Sequence, residues 1–350
     1  MRIDNINIAR SDVLITPGAL KRLVPVTTPA AITVYNGRDL LRQDWDIWSH
    51  LFMLVMGPCS VHDPAAVLRY FRRLAVLRER YGDRILFIAR VFIEKHRTGM
   101  GWPGYMLDPG MDASFELNLG LELCRKLLVE VNELRYPIAA EVINPLVGSR
   151  LGDLLTLSIA GARSINHQGA RFLASGESGV FAGKNDVDGR VEPAIEALTV
   201  AGTPGLPFTG SNEDGIETLF IGKGNPGGFL ILRGGHDHPN YDSDHVFATT
   251  EKLKRAGLPP RLLVDCNHKQ HDGDETGQLR VWKAVVDQLP RTRPRVAGLV
   301  IESFTTGGKQ PFDWPNQLPG TLDPDCSITD ACIGWDQTEE MIKYTYDALA

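Results

Sequence analysis

Four residues with strong metal-ligating side chains, Cys59, His268, Glu302 and Asp330, lie far apart in the chain. A thiolate, an imidazole and two carboxylates suit a borderline divalent ion such as Mn²⁺, Fe²⁺, Co²⁺ or Zn²⁺. A second set is cationic: Arg90, Lys95, Arg97, Arg163, Lys184 and Arg233. Arg90 interrupts Phe87-Ile88-Ala89-Arg90-Val91-Phe92, and Arg233 closes Phe229-Leu230-Ile231-Leu232. A cation in such a run is costly unless an anion meets it. Arginine forks match phosphate and carboxylate oxygens in pairs, and lysine adds a point charge. Together the two sets describe a site for a small phosphorylated acid and a divalent metal ion. Taken singly, a buried Cys packs as a small hydrophobe and a lone Arg is as often a structural ion pair. Only a fold that gathers the residues gives the reading force.

Short apolar, β-rich runs supply that fold. Strands are expected at Leu51–Met56, Ile85–Val91, Ile138–Val142, Leu155–Ile159, Val180–Ala182, Phe229–Leu232, Leu262–Val264 and Leu299–Ile301. Amphipathic helices are expected at Ala65–Arg80, Ser114–Leu134 and Ser243–Ala256, with Asp63-Pro64 and Ser243 as helix starts. Strands alternating with helices and buried on both faces indicate a parallel α/β sheet, and eight of them favour a closed (β/α)8 (TIM) barrel. Most of the reactive residues then sit at the C-terminal ends of strands, where such barrels build their active sites. A pair of runs, Leu206–Thr209 and Thr218–Ile221, interrupts the fifth crossover as an inserted hairpin. Residues 1–48, with a short helical stretch near Ala19–Leu23, read as an N-terminal extension that packs on the barrel or a neighbouring subunit. Residues 49–350 read as the catalytic barrel.

Composition narrows the class. The chain is 43% hydrophobic and 23% charged with a net charge of −6, which fits a globular protein without a nucleic-acid-binding surface. No apolar run approaches the roughly 20 residues that span a bilayer, and the first residues lack the apolar core of a signal peptide. Five widely spaced cysteines do not form a disulfide framework, so a reduced, cytoplasmic protein is expected.

Several motifs occur in order: GPCSVHDP (57–64), RVFIEKHRT (90–98), AGAR (160–163), LASG (173–176), GKN (183–185), ILRGG (231–235), DCNH (265–268), ES (302–303) and SITDACIGW (327–335). In these the chain resembles the type I 3-deoxy-D-arabino-heptulosonate-7-phosphate (DAHP) synthases over roughly residues 12–345. The resemblance implies a metal-dependent (β/α)8 barrel that condenses phosphoenolpyruvate (PEP) with erythrose 4-phosphate, the first step of the shikimate pathway of aromatic amino acid biosynthesis. It also implies a homodimer or homotetramer. It assigns Cys59, His268, Glu302 and Asp330 to the metal and Arg90, Lys95, Arg163, Lys184 and Arg233 to PEP. Arg97 and Thr98 fall to the aldose phosphate. Cys59, Lys95 and His268 are then catalytic, with Lys95 as a general acid whose pKa is depressed by neighbouring cations.

The chain departs from the family mainly around the acceptor. His96 stands where a proline is usual, and Pro103 where a lysine follows Gly-Trp. Asn267-His268-Lys269-Gln270-His271 replaces Ser-His-x-Asn-Ser, and Phe304 replaces a histidine. Two alternatives stand beside the main expectation. One is a specialised homologue condensing PEP with a different aldehyde in a secondary-metabolite pathway. The other is an inactive barrel acting as a regulatory or partner subunit.

Overall fold

Parallel strands buried on both faces carry near-continuous apolar runs, because successive side chains enter two different cores. The computed structural model describes residues 3–43, 45–97, 99–142, 144–272 and 274–350. Its strands are β1 (Phe52–Gly57), β2 (Ile85–Arg90), β3 (Ile138–Glu141), β4 (Leu157–Ala160), β5 (Val180–Lys184), β6 (Pro207–Ser211), β7 (Glu217–Ile221), β8 (Phe229–Gly234), β9 (Leu262–Lys269), β10 (Val296–Glu302), β11 (Thr306–Lys309) and β12 (Cys326–Ser327). Eight of them close a barrel in the order β1-β10-β9-β8-β5-β4-β3-β2, every pair parallel. The expected (β/α)8 barrel is the observed fold.

The two cores follow from the alternation. Met53 and Val55 of β1 point inward to Ile88, Leu157, Ile159, Ile231 and Val300. Phe52, Leu54 and Met56 point outward to the surrounding helices, α3 (Pro64–Tyr81) among them. Trp48 is fully buried and meets Phe229, the first residue of β8, edge-on at 5.6 Å. It thereby plugs the N-terminal mouth of the barrel, with the Arg261 guanidinium over both rings.

The remaining helices are α1 (Pro17–Leu23), α2 (Thr28–Arg42), α4 (Leu117–Glu133), α5 (Pro145–Leu151), α6 (Gln168–Ala174), α7 (Glu192–Gly202), α8 (Ser243–Arg255), α9 (Glu275–Thr292) and α10 (Trp335–Ala348). Asp63 caps α3 as expected, accepting from Ala66 N. α8 starts at Ser243 as expected, and the residue before it, Asp242, is its N-cap, accepting from Asp244 N and His245 N. The fifteen-residue α2 was not anticipated from the mixed, proline-containing segment 1–48. Pro29 lies in the first turn, where its missing N–H costs nothing, and Thr27 caps the helix through Ala30 N. This helix packs directly on the barrel: Arg38 donates to Gly152 O and Leu155 O, and Thr33 Oγ1 to Asn132 O. The inserted hairpin is β6 and β7, antiparallel in register from Pro207↔Ile221 to Ser211↔Glu217. The short β11–β12 pair carried no apolar signal in Thr306-Gly307-Gly308-Lys309 and was missed. Among the described residues no helix is long and apolar enough to cross a membrane.

A buried hydroxyl chain fastens the segment just beyond β10. Tyr70 Oη donates to Ser303 Oγ at 2.8 Å, and Ser303 Oγ lies 2.6 Å from Thr338 Oγ1. Tyr70→Phe is expected to lower the unfolding free energy by about 1–2 kcal/mol, read by urea denaturation.

Candidate active site

Strand order assembles the site. β10, β1 and β2 are neighbours, and the register sets Gly57 level with Glu302. Glu302 ends β10, Arg90 ends β2, and Cys59 lies two residues past β1. On the other side of the barrel β5, β8 and β9 are neighbours and carry Lys184, Arg233 and Asp265. β5, β8, β9 and β10 run further than expected, so Lys184, Arg233, Asp265 and Glu302 lie within strands rather than after them, whereas β2 stops at Arg90, one residue short of the expected end.

Cys59, Glu302 and Asp330 each offer a ligand atom within 4.8 Å of the others. Lys95 Nζ already sits against two of them, 2.7 Å from Cys59 Sγ and 2.9 Å from Asp330 Oδ2. Asp330 N donates to the same sulfur at 3.3 Å. Burial first, then Glu302, pushes the Cys59 thiol up to about 12, against the pull of Lys95. Lys95 first, helped by its hydrogen bond, holds Asp330 well below the usual carboxylate range despite burial. A soft sulfur and two carboxylates grouped around a point already favourable to a cation fit a divalent ion, which binds Cys as thiolate. His268 is not brought into this group. Its backbone is left-handed (φ 61°), and its Nδ1 faces Asp265 Oδ2 at 3.0 Å.

Buried polar contacts hold the ligand-bearing residues. Arg90 and Glu302, each 1% exposed in the side chain, pair at 2.7 Å. Arg90 also donates to the carbonyls of Pro58 and Cys59, and its guanidinium lies over the Phe92 ring. The second oxygen of Glu302 accepts from Asn267 Nδ2 at 2.6 Å, while Gln278 bonds the Glu302 backbone at both N and O. Lys184 and Asp265, 4% and 1% exposed, pair at 2.6 Å. Burial raises the Asp265 pKa, but His268 and Lys184 overrule it and hold the carboxyl well below its usual range.

A cavity of about 950 Å³ opens above these pairs. Arg90, Lys95, Arg97, Arg163, Lys184, Arg233, His268 and Asp330 all line it, so the cations expected from sequence do converge. Thr98, expected beside Arg97, lies outside the described residues. Three of the cations have carboxylate partners: Arg90 with Glu302, Lys95 with Asp330 and Lys184 with Asp265. Among the described residues the Arg163 and Arg233 guanidinium groups have no hydrogen bond or ion pair. Arg233 Nε is buried without a partner, and burial together with Arg163 lowers the Arg233 pKa, against Asp265.

The depressed pKa expected of Lys95 needs correction. Burial alone would lower its pKa, yet Cys59, Asp330 and Glu302 outweigh burial and Arg90, and raise it. Its nearest neighbours are acids and a thiol rather than cations, so the depressed pKa anticipated from sequence is not found.

Glu141, the last residue of β3, was missed although it ends an apolar run just as Arg90 does. Burial would raise its pKa, but the neighbouring His96, then Lys184 and Lys95, bring it down to about 2. A carboxylate depressed on folding adds stability above its unfolded pKa and loses it as pH falls through the folded value. The stability margin of wild type over Glu141→Gln is therefore expected to narrow between about pH 5 and about pH 2, read by urea titrations across that range. Lys269, His271 and Lys309 also line the cavity. Lys269 and Lys309 end β9 and β11 and His271 follows β9, in stretches without an apolar pattern, and Gln278, inside α9, gave no signal either.

The comparisons agree with this geometry. Residues 49–343 match the model of the DAHP synthetase I family. The chain is 35% identical over 347 residues to the Tyr-sensitive phospho-2-dehydro-3-deoxyheptonate aldolase of Escherichia coli, covering 99% of this chain and 96% of the relative. It is 36% identical over 340 residues to a phospho-2-dehydro-3-deoxyheptonate aldolase of Alternaria alternata, covering 96% and 90%. A solved structure of the Francisella tularensis phospho-2-dehydro-3-deoxyheptonate aldolase superposes with a TM-score of 0.92 at 32% identity, covering 98% of each chain.

Proposed function

We propose that this chain, which belongs to the DAHP synthetase I family, condenses PEP with erythrose 4-phosphate to give DAHP and inorganic phosphate. The observation that carries the reading is the layout of one cavity. A group of metal-competent ligands lies at one side, and two arginines that have no anionic partner among the described residues lie on its wall. Arg163 and Arg233 suit the PEP phosphate, and Lys184 and Arg90 supply positive potential for its carboxylate. Arg97 is the handle for the aldose phosphate.

In the reaction, carbon 3 of PEP attacks the aldehyde carbon, and carbon 2 gains cationic character. Water adds there, and the tetrahedral phosphohemiketal loses phosphate by C–O cleavage. A metal ion held by Cys59, Glu302 and Asp330, with His268 as the fourth candidate, supplies Lewis acidity toward the aldehyde oxygen. Mn²⁺, Fe²⁺, Co²⁺ and Zn²⁺ all suit the donor set, and availability chooses among them. We read the protein as a homo-oligomer; exposed Ile3, Ile6, Ile8 and Val13 support an interface on the N-terminal segment.

The test is phosphate release from PEP with a panel of aldehydes, with and without added divalent metal and chelator. Chelator-sensitive turnover with a clear preference for erythrose 4-phosphate is expected. Preference for another aldehyde would move the reading to the specialised homologue. Absence of turnover with every aldehyde and metal would sink it.

A further inference from the structure

The condensation requires a group that accepts a proton from the water adding to carbon 2. Lys95 and Lys184 are poor candidates, since each is an ammonium bound to a carboxylate. His96 also lines the cavity, on the segment just beyond β2. Its Nδ1 lies 3.9 Å from Glu141 Oε1, and the two side chains are only 24% and 11% exposed. Gly161 gives the pair its room. A Cβ there would collide with Glu141 Oε1 and stand 3.6 Å from His96 Nδ1. Two residues further on is Arg163, one of the two arginines suited to the PEP phosphate. The pair is therefore beside the phosphate-bearing end of the cavity, where carbon 2 must sit.

We propose that His96, steadied by Glu141, is the base that takes the proton from the attacking water. The proposal rests on the condensation reading above. Nδ1 faces Glu141 Oε1 at 3.9 Å, beyond hydrogen-bond reach, and is itself buried without a hydrogen-bond partner among the described residues, so a small shift would seat it on the carboxylate and Nε2 is the ring nitrogen left to meet a water. An imidazole with a carboxylate behind it is oriented, and its charged form is stabilised as the proton arrives. As the water oxygen bonds to carbon 2, its O–H bond breaks and the electron pair stays on oxygen. The proton goes to Nε2. The imidazolium then gives that proton to the alkoxide derived from the aldehyde, directly or through water. When the carbon 2–phosphate C–O bond breaks, its electron pair leaves on phosphate, the hydroxyl proton goes with it, and a ketone remains. The charged groups that share the cavity wall with this ring include Glu141 of β3, Lys95 and Arg97 on its own segment, Arg163 beyond β4 and Lys184 of β5, with Arg90, Arg233, His268, Lys269, His271, Asp272, Asp274, Glu275, Lys309 and Asp330 lining the rest of the cavity.

The test uses metal-loaded protein in the PEP and erythrose 4-phosphate assay, with kcat and KM followed against pH. His96→Gln is expected to lower kcat about 100-fold, keep the KM for PEP within about threefold, and abolish the acid limb of the kcat profile. His96→Gly is expected to regain activity when free imidazole is added, a rescue that a purely structural role would not give and that does not depend on the Gln variant folding. If wild type turns over while His96→Gln keeps its kcat and its acid limb, the proposal falls and the condensation reading stands. If wild type turns over but imidazole does not rescue His96→Gly, the proposal falls as well. If wild type consumes no PEP, the condensation reading has failed and this inference fails with it.

Discussion

Cys59→Ala is expected to remove bound metal and to lower condensing activity by about 10³-fold or more, the scale of losing a Lewis acid from a polar transition state. The argument is geometric. Cys59 Sγ is the atom on which Lys95 Nζ, Asp330 N and Asp330 Oδ2 converge, at 2.7, 3.3 and 3.3 Å. Without it two carboxylates remain. One of them, Glu302, is already bound to Arg90 and Asn267. The other, Asp330, is 54% exposed in its side chain and keeps Lys95. With His268 turned to Asp265, the grouped atoms that remain are carboxylate oxygens, a weak site of poor geometry for a borderline ion. The substitution deletes one small buried atom, so the fold is expected to lose only about 1 kcal/mol. Cys332→Ala is the control. Its sulfur accepts from Cys59 N at 3.3 Å but stands outside the ligand group, so metal content is expected to persist. Elemental analysis of the purified variants, with thermal melts, checks both. Cys59→Ala protein with stoichiometric, tightly held metal would overturn the assignment.

The same residues show what was legible before the structure. Arg90 and Arg233 stand in apolar runs where a charge demands an explanation, and both do line the cavity. The eight strands were readable because each is buried on both faces, and barrel closure turned eight chain-distant positions into one rim. Pairing was not readable. Nothing in the sequence shows that Arg90 meets Glu302, or Lys184 meets Asp265, because those contacts depend on which strands become neighbours. The error over Lys95 has that origin: its pKa follows from Cys59 and Asp330, contributed by segments far away in the chain. His268 was placed correctly near the rim. Its left-handed backbone turns it toward Asp265, and a φ of 61° at a non-glycine residue has no sequence signal. Helix α2 was missed for a different reason: in a mixed N-terminal segment its Pro29 was not recognised as a first-turn residue, a position where proline starts helices.

Arg163→Ala combined with Arg233→Ala is expected to raise the KM for PEP by about 10³-fold, with each single change giving about 10–100-fold. A charge-assisted hydrogen bond to phosphate contributes about 1.5–3 kcal/mol. These two positions separate binding from folding, which Arg90 and Lys184 do not. Removing Arg90 would strand Glu302 as a buried carboxylate without an ion-pair partner, and removing Lys184 would leave buried Asp265 with His268 alone, at a cost of about 3–5 kcal/mol to the fold in the first case. Arg163 and Arg233 leave no such orphan among the described residues. Arg233 carries a buried Nε without an acceptor, and its charge stands against that of Arg163. The double variant is therefore expected to melt no lower than wild type. Inorganic phosphate, the product, supplies a readout independent of turnover. It is expected to raise the melting temperature of wild type as it binds the folded state, and to leave that of the double variant unchanged. Equal stabilisation of both proteins by phosphate would show that the anion is held elsewhere. A double variant that melts well below wild type would show that the two arginines serve the fold rather than the ligand.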